Sequence, residues 1–259
     1  MAGIASVELL KKSPSNEILS KFGGKIDGVH SSERAKDFKE IKWPLNAESA
    51  LVLAVSHPQD KPEMDWSYST GNTPGNLHLV NITKKLSAWI EETLIIKVQR
   101  MPYFIEEGGI FLKDAAVLAG LGCIGKNNIL ITREFGPRVR FRAILLEAKL
   151  ASTGPINYDP CGGCDEYCRK ACPQNAFDSI ILTPVETGIN ALPGRDGRFS
   201  RSRCSIQMDR DIQNSGVIID EGFMSELYPR SANTERLSQT TERIKWCRQC
   251  ELVCPVGRL

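Results

Sequence analysis

Cys161-Gly-Gly-Cys164-Asp-Glu-Tyr-Cys168-Arg-Lys-Ala-Cys172-Pro173 puts four thiols into twelve residues. Cys247-Arg-Gln-Cys250-Glu-Leu-Val-Cys254-Pro255 puts three more into the last thirteen positions, and both groups end in Cys-Pro. None of the nine cysteines precedes Cys123, and Cys204 stands alone between the groups. Setting Cys123 aside leaves eight thiols. Met1–Ser13 lacks the apolar segment and small-residue cleavage site that mark export. A cytoplasmic chain is therefore expected, and in a reducing compartment cysteines serve as ligands or free thiols rather than disulfides.

The spacings x2, x3 and x3 before Pro173 lie one residue from the x2, x2, x3 run of bacterial ferredoxins. In that run three thiolates of one tight loop grip three irons of a cubane, and the fourth reaches a second cluster. The same crossover here joins Cys161, Cys164 and Cys168 to Cys254. It joins Cys247 and Cys250 to Cys172, and Cys204 completes the second set. Two [4Fe–4S] clusters are the expectation. Two structural zinc sites of four thiolates each are the alternative, since paired x2 spacings also suit zinc. Cys123, in an apolar, glycine-rich stretch, reads as a buried inert thiol.

The surrounding chain is that of a folded protein. Of 259 residues, 41% are hydrophobic and 25% charged, which excludes a disordered or fibrous class. Lys and Arg number 33 against 31 Asp and Glu, so no wholesale cationic coat exists for nucleic acid. The longest clean apolar run, Ala50–Val55, is too short to span a bilayer, so no membrane role is expected. Two regions follow. Residues 1–150 mix helix and strand signals and form an α/β (α+β) core; residues 151–259 are cysteine-dense and turn-rich.

Within the core, Ala50–Ser56 reads as a buried strand, and residues 57–76, with Pro58, Pro62, Gly71 and Pro74, as a long functional loop. Leu79, Ile82, Leu86 and Ile90 recur at helical spacing and predict a helix over Leu77–Glu92. A strand is expected over Leu94–Gln99, and a helix over Phe111–Ala119 with Gly120 closing it. Asn128–Thr132 and Val139–Glu147 are expected to pair as a hairpin turning near Gly136-Pro137, with Arg138, Arg140 and Arg142 alternating against apolar residues. Thr183–Arg203, rich in Pro, Gly and Arg, reads as a surface excursion.

Gly120-Leu-Gly122-Cys-Ile-Gly125 fits the dinucleotide pattern G-x-G-x-x-G. That chemistry needs a strand before the glycines and a helix after, so that the helix N-terminus meets the pyrophosphate. The expected order here is the reverse. The glycines read instead as sites where the backbone lets something flat or bulky approach.

Ala116-Val-Leu-Ala-Gly-Leu-Gly-Cys-Ile-Gly-Lys-Asn-Asn-Ile-Leu-Ile131, ahead of two ferredoxin-type cysteine groups, resembles epoxyqueuosine reductase. Thr132-Arg-Glu-Phe-Gly-Pro-Arg-Val-Arg140 is equally similar to the corrinoid-dependent reductive dehalogenases. The resemblance covers roughly residues 50–259. It implies a nitroreductase-like core binding cobalamin, and a C-terminal ferredoxin-like domain with two [4Fe–4S] clusters feeding it electrons from a ferredoxin or flavodoxin. It also implies a tRNA partner, although the family's helical-repeat tail has no counterpart after Cys254 in these residues. Where the family carries a Tyr-Ala-Arg-Gly-type motif, this chain reads Tyr68-Ser-Thr-Gly71-Asn-Thr-Pro74-Gly75. The family's proposed proton donor, the Asp of an Asp-Thr-Ala-Pro segment, falls on Glu106 when counted back from Gly120 without gaps.

Glu106 is accordingly the candidate general acid, or else a helix-terminus charge. Gly122, Gly125, Lys126 and Asn127 are the candidate cofactor contacts, with Lys126 and Asn127 either meeting a tetrapyrrole's amide rim or simply forming a turn. The expected corrinoid pocket is bounded by the Gly120–Asn128 turn, the Trp66–Asn76 loop and the face of the hairpin. Tyr103 is a weaker donor candidate, more often a packed aromatic. His57 and His78 read as ordinary polar residues. Arg195, Arg198, Arg201 and Arg203 can touch phosphates but read better as a solvated face. The reading that results is a cytoplasmic iron–sulfur oxidoreductase. A non-catalytic electron carrier and a reductive reactivator of a corrinoid protein are its rivals.

Overall fold

In the computed structural model, residues 1–22, 41, 43–67, 72–216 and 242–258 are described. Strand β1 (Ala2–Ser6) leads into helix α1 (Val7–Lys11) and helix α2 (Pro14–Phe22). Strand β2 (Ser49–Ser56) is followed by a 3-10 turn at Pro62–Asp65 and the short β3 (Trp66–Ser67). Next come α3 (Pro74–Leu94), β4 (Val98–Arg100), α4 (Leu112–Leu118), β5 (Cys123–Ile124), β6 (Leu130–Ile131) and β7 (Val139–Leu146). The cysteine-dense part adds α5 (Tyr167–Lys170), α6 (Pro184–Thr187), α7 (Arg201–Gln213), β8 (Ile244–Lys245) and α8 (Gln249–Leu252).

Strands β1, β2, β7 and β4 form one sheet in that order, every pair antiparallel. Alternation along a strand sends neighbouring side chains to opposite faces. Ala50, Val52 and Ala54 of β2 and Val139, Ala143 and Leu145 of β7 therefore share one face. They pack there on Ala115 and Ala116 of α4. Ile144 and Leu146 point the other way, onto Ile90 and Leu86 of α3. The sheet is thus covered on both faces, which is why β2 reads as an unbroken apolar run. That opposite face of β7 also carries Arg138, Arg140 and Arg142.

Contacts cross residue 150 in several places. Trp66 and Ser67 of β3 pair with Lys245 and Ile244 of β8. Ile18 of α2 packs on Leu182, Ile189 and Leu192.

Four expectations from the sequence are corrected here. The Leu94–Gln99 strand does not form as such: α3 continues to Leu94, Ile95 turns left-handed at φ 56°, and the strand begins at Val98. The same helix starts before Leu77, because the Thr73 hydroxyl accepts the Asn76 N–H and Pro74 suits a first helical position. The 128–132/139–147 hairpin is absent. Thr132 and Gly136 close a tight loop on each other, β6 pairs with β5, and β7 is already flanked by β2 and β4. Residues 183–203 are not a surface excursion: Thr187, Ile189, Leu192 and Phe199 are buried. Their apolar side chains answer α2 and a cluster around Phe177. Of the Tyr68–Gly75 stretch, residues 68–71 lie outside the described residues.

The G-x-G-x-x-G stretch has α4 before it and β5 after it, the reverse of a dinucleotide turn. Gly122 has a packing reason instead. A Cβ there would overlap the Ile131 carbonyl oxygen across the β5–β6 pair. Gly122→Ala is expected to cost about 1–3 kcal/mol of stability, as overpacked sites do. A thermal melt reads it as a lowered Tm, and an unchanged Tm contradicts the close approach.

Candidate functional site

Cys161, Cys164, Cys168 and Cys254 line one small cavity, closed by Ile131 and Val256 among others. Cys161 and Gly162 donate their N–H groups to Asp159 Oδ1 at 3.0 and 3.1 Å, which bends the chain into the loop that presents the first thiols. Arg195 pairs with Asp159 and, with those N–H groups, holds its carboxyl well below the usual range. Arg169 of α5 fastens the far side, donating to Lys126 O and Gly194 O and pairing with Asp196 at 2.7 Å.

The other four thiols meet behind this cavity. Cys172 and Cys204 pack beside Ala176, Phe177 and Phe199. Ala176 N–H points at Cys172 Sγ at 3.4 Å. Ser200 caps α7 by accepting the Arg203 N–H, which puts Cys204 in its first turn. Cys247 donates its N–H to Asp211 Oδ2, near the end of α7, at 2.7 Å. Burial pushes the Cys250 thiol well up, and Glu251, Cys204 and Cys247 add to the shift. Burial likewise raises Cys168 to about 11.

A single zinc ion would draw four sulfurs to about 2.3 Å from one point. Among the described residues no three Cys, His, Asp or Glu side chains converge to hold one ion. The Cys161 foursome lines a cavity instead, and four thiols spread around a space are the donor set that a [4Fe–4S] cluster would take.

The C-terminal cysteines reach these places because β7 grips them. Arg138 Nη1 donates to Glu251 O at 3.0 Å and to Cys254 O at 3.1 Å, and Nη2 donates to Val256 O. Gly136, left-handed at φ 56°, lies so close under Val256 that a side chain there would overlap its carbonyl. Arg140 pairs with Asp65 at 3.1 Å and with Glu251 at 2.9 Å. Arg248 pairs with Asp65 at 2.8 Å and with Glu251 at 2.9 Å. The four side chains close a ring of alternating charge. His57, fully buried, adds its Nδ1 to Asp65 at 2.8 Å, and its carbonyl accepts from Arg248. His57 is therefore a core residue rather than an ordinary polar one; His78 is exposed as expected. Burial opposes the charge on Asp65, but His57, Arg140 and Arg248 outweigh it and hold the carboxyl below its usual value.

The sequence did not single out Asp65, Arg248 or Glu251. The one available signal was the alternation of Arg138, Arg140 and Arg142, which in a sheet covered on both faces needs buried partners. Arg142 has them: its Nε donates to Asn76 Oδ1 at 3.1 Å, and its guanidinium lies 5.1 Å from the Tyr103 ring. Tyr103 also packs edge-on against Phe104.

A separate cleft of about 510 Å³ opens beside the second foursome. Trp66, Trp246, Gln59, Gln249, Cys247 and Arg248 are among its lining residues. Among the described residues the parts of the expected pocket lie apart: Trp66 faces this cleft, whereas Lys126 and Asn127 line the Cys161 cavity. Gly122 and Gly125 are both closed against Ile131. Lys126 pairs with Glu166 at 2.8 Å. The buried Asn127 donates to Cys250 O at 3.3 Å and accepts the Ile129 N–H. These contacts fix the turn against both cysteine groups.

Glu106 lies in the 3-10 turn Ile105–Glu107, and its side chain is outside the described residues. Cys123 is half-buried rather than buried, and burial together with neighbouring Cys161 raises its thiol to about 11. The arginine run is tied to the protein: Arg195 to Asp159, Arg198 to Asp196 at 3.5 Å, and Arg203 to Asn175 O at 3.0 Å.

No protein-family model matches the chain. Epoxyqueuosine reductase of Gloeobacter violaceus is 39% identical over 161 residues, which cover 60% of this chain and 48% of that protein. The Aliivibrio fischeri enzyme is 29% identical over 180 residues, 69% of this chain and 38% of that one. The chain is similar to the epoxyqueuosine reductases. It spans between 38% and 53% of the length of the first curated relatives it matches. The solved epoxyqueuosine reductase of Streptococcus thermophilus shares the fold, with a TM-score of 0.57 at 20% identity over 99% of this chain and 62% of that one. No helix of the described residues is long and apolar enough to cross a membrane.

Asp65→Asn tests the ring. It leaves Arg140 and Arg248 short of a counter-charge, and breaking a buried pair from one side costs about 3–5 kcal/mol. A carboxyl held below its usual value lends stability above its unfolded pKa of about 3.9 and loses it as pH falls through the folded value. The variant's urea midpoint should therefore be lower at pH 7 and should fall less than the parent's on acidification. Parallel pH curves would contradict this.

Proposed function

We propose that the chain is an iron–sulfur reductase in which two [4Fe–4S] clusters pass single electrons to a cobalamin seated in the Trp66–Trp246 cleft. The carrying observation is the exchange of cysteines. Cys254 crosses to the Cys161 cavity, and Cys172 and Cys204 cross to Cys247 and Cys250. The second set then borders the cleft through Cys247 and through Ala171 and Pro173, the neighbours of Cys172. Tyr167, beside the first set, is 47% exposed, and this is the side on which a ferredoxin or flavodoxin would deliver electrons. When bound, the clusters supply one-electron transfer and the cobalamin a cobalt centre able to reduce an epoxide of the kind in the relatives' name.

The chain's own residues do the rest. Trp246 offers aromatic surface to a ring system, Trp66 borders the cleft with Arg243 and Lys245 over its ring, and Gln59 and Gln249 offer amides to an amide-bearing edge. Trp246 is held by donating its Nε1–H to Ser67 Oγ at 2.9 Å. Gly122, Gly125, Lys126 and Asn127, expected at the cofactor, are given a different part: they hold the turn that bridges the two cluster sites. Glu106 is the proposed proton donor, on its alignment with the family's Asp. A tRNA-borne epoxide and the free nucleoside are both to be offered as substrate.

Anaerobic reconstitution should give about eight irons and eight sulfides per chain. Cys250→Ser should hold about half and melt earlier, since a site's binding energy is also folding energy. Stoichiometric zinc with little iron would overturn the reading.

The replete protein should take up one cobalamin, and Glu106→Gln should keep that uptake while losing turnover by about 10²–10⁴. Clusters that cycle with a partner while no cobalamin binds would instead indicate an electron carrier.

A further inference from the structure

Arg138 differs from its neighbours on β7 in the company it keeps. Arg140 has Asp65 and Glu251, and Arg248 has the same two acids, so that ring is neutral. Arg138 is equally buried. Its hydrogen-bond partners are all backbone carbonyls, of Glu251, Cys254 and Val256. Among the described residues no carboxylate pairs with it. Burial works against its charge, Arg258 and Arg248 add like charge nearby, and only the Cys254 thiol and the more distant Glu251, itself engaged by Arg140 and Arg248, favour it. A buried guanidinium with only neutral acceptors is strongly unfavourable unless an anion is close by.

The group beside it supplies that anion once loaded. Arg138 reaches the carbonyl of Cys254, and its charge acts on the Cys254 thiol. Four thiolates around a [4Fe–4S] core make a net anion, and reduction by one electron makes it more negative by one charge with no bond formed or broken. A fixed cation at a ligand stabilises the reduced form more than the oxidised one, and net charge and hydrogen bonding are among the levers on cluster potential.

We propose that Arg138 is the counter-ion of the cluster held by Cys161, Cys164, Cys168 and Cys254, and that its charge raises the reduction potential of that cluster. It is a positioning residue as well, since the same guanidinium seats the Cys254 segment. This rests on the two-cluster reading above. At the second set Arg248, next to Cys247, already faces Asp65 and Glu251, while Arg201 and Lys113 act on Cys204.

The test is a dithionite titration of reconstituted wild type, Arg138→Gln and Arg138→Lys, followed by EPR with iron counted in each. With eight irons in Arg138→Gln, one of the two midpoint potentials should fall and the other hold, and Arg138→Lys should restore the first. If Arg138→Gln loses half its iron, Arg138→Lys should keep all eight, because the charge is retained without the three carbonyl bonds. Full iron with both potentials unchanged in Arg138→Gln overturns the proposal. Loss of the same half of the iron from both variants also overturns it, leaving Arg138 as scaffold alone. Wild-type protein that takes up no iron would overturn the two-cluster reading instead, so the two failures are distinct.

Discussion

Everything in this molecule turns on how a C-terminal segment with three cysteines is held against the middle strand of a sheet. Arg138, just before β7, and Arg140 and Arg142 within it project on the face covered by α3. To remain charged there Arg138 and Arg140 need acceptors, and apart from Asp65 those acceptors lie in the stretch from Arg248 to Val256. The binding of that stretch is thus a consequence of having placed arginines in a buried strand. A closed ring of two arginines and two acids is neutral, and each charge in it meets two of opposite sign, which is the arrangement that makes buried ions tolerable.

The clamp gives the sulfur chemistry its geometry. Three thiols on a loop cannot complete a cubane alone, and the fourth must come from elsewhere in the chain. By fixing Cys254 near Cys161 and leaving Cys247 beside Asp211 and the cleft, the clamp sorts eight thiols into two sets. The same contacts join the sheet to the cysteine-dense part. β3 pairs with β8, and Asn127 reaches Cys250, so a disturbance at either cysteine set is felt in the core.

What could be read from the sequence was whatever depends on local spacing. The cysteine groups, the α3 stripe and the capped end of α4 each carry their signal within a few residues. The crossover of Cys254 was legible too, because the Cys-Pro runs follow a known geometric logic. Features that depend on long-range pairing stayed hidden. Val139–Leu146 looked like one arm of a hairpin because Gly136-Pro137 is a good turn; its true partners, β2 and β4, lie about 90 and 45 residues away in the chain. Residues 183–203 looked like surface because Pro and Gly dominate them, yet tertiary packing on α2 buries their few apolar side chains. Asp65, Arg248 and Glu251 carry no motif at all, and only the fold makes them one group.

The most direct measurement is anomalous diffraction at the iron edge from crystals of the anaerobically reconstituted protein. The account predicts two iron centres. One is bound by Cys161, Cys164, Cys168 and Cys254, the other by Cys172, Cys204, Cys247 and Cys250, with Arg138 against the first and the Trp66–Trp246 cleft beside the second. A centre in which Cys254 joins Cys247 and Cys250, or a lone metal ion in either place, would contradict it.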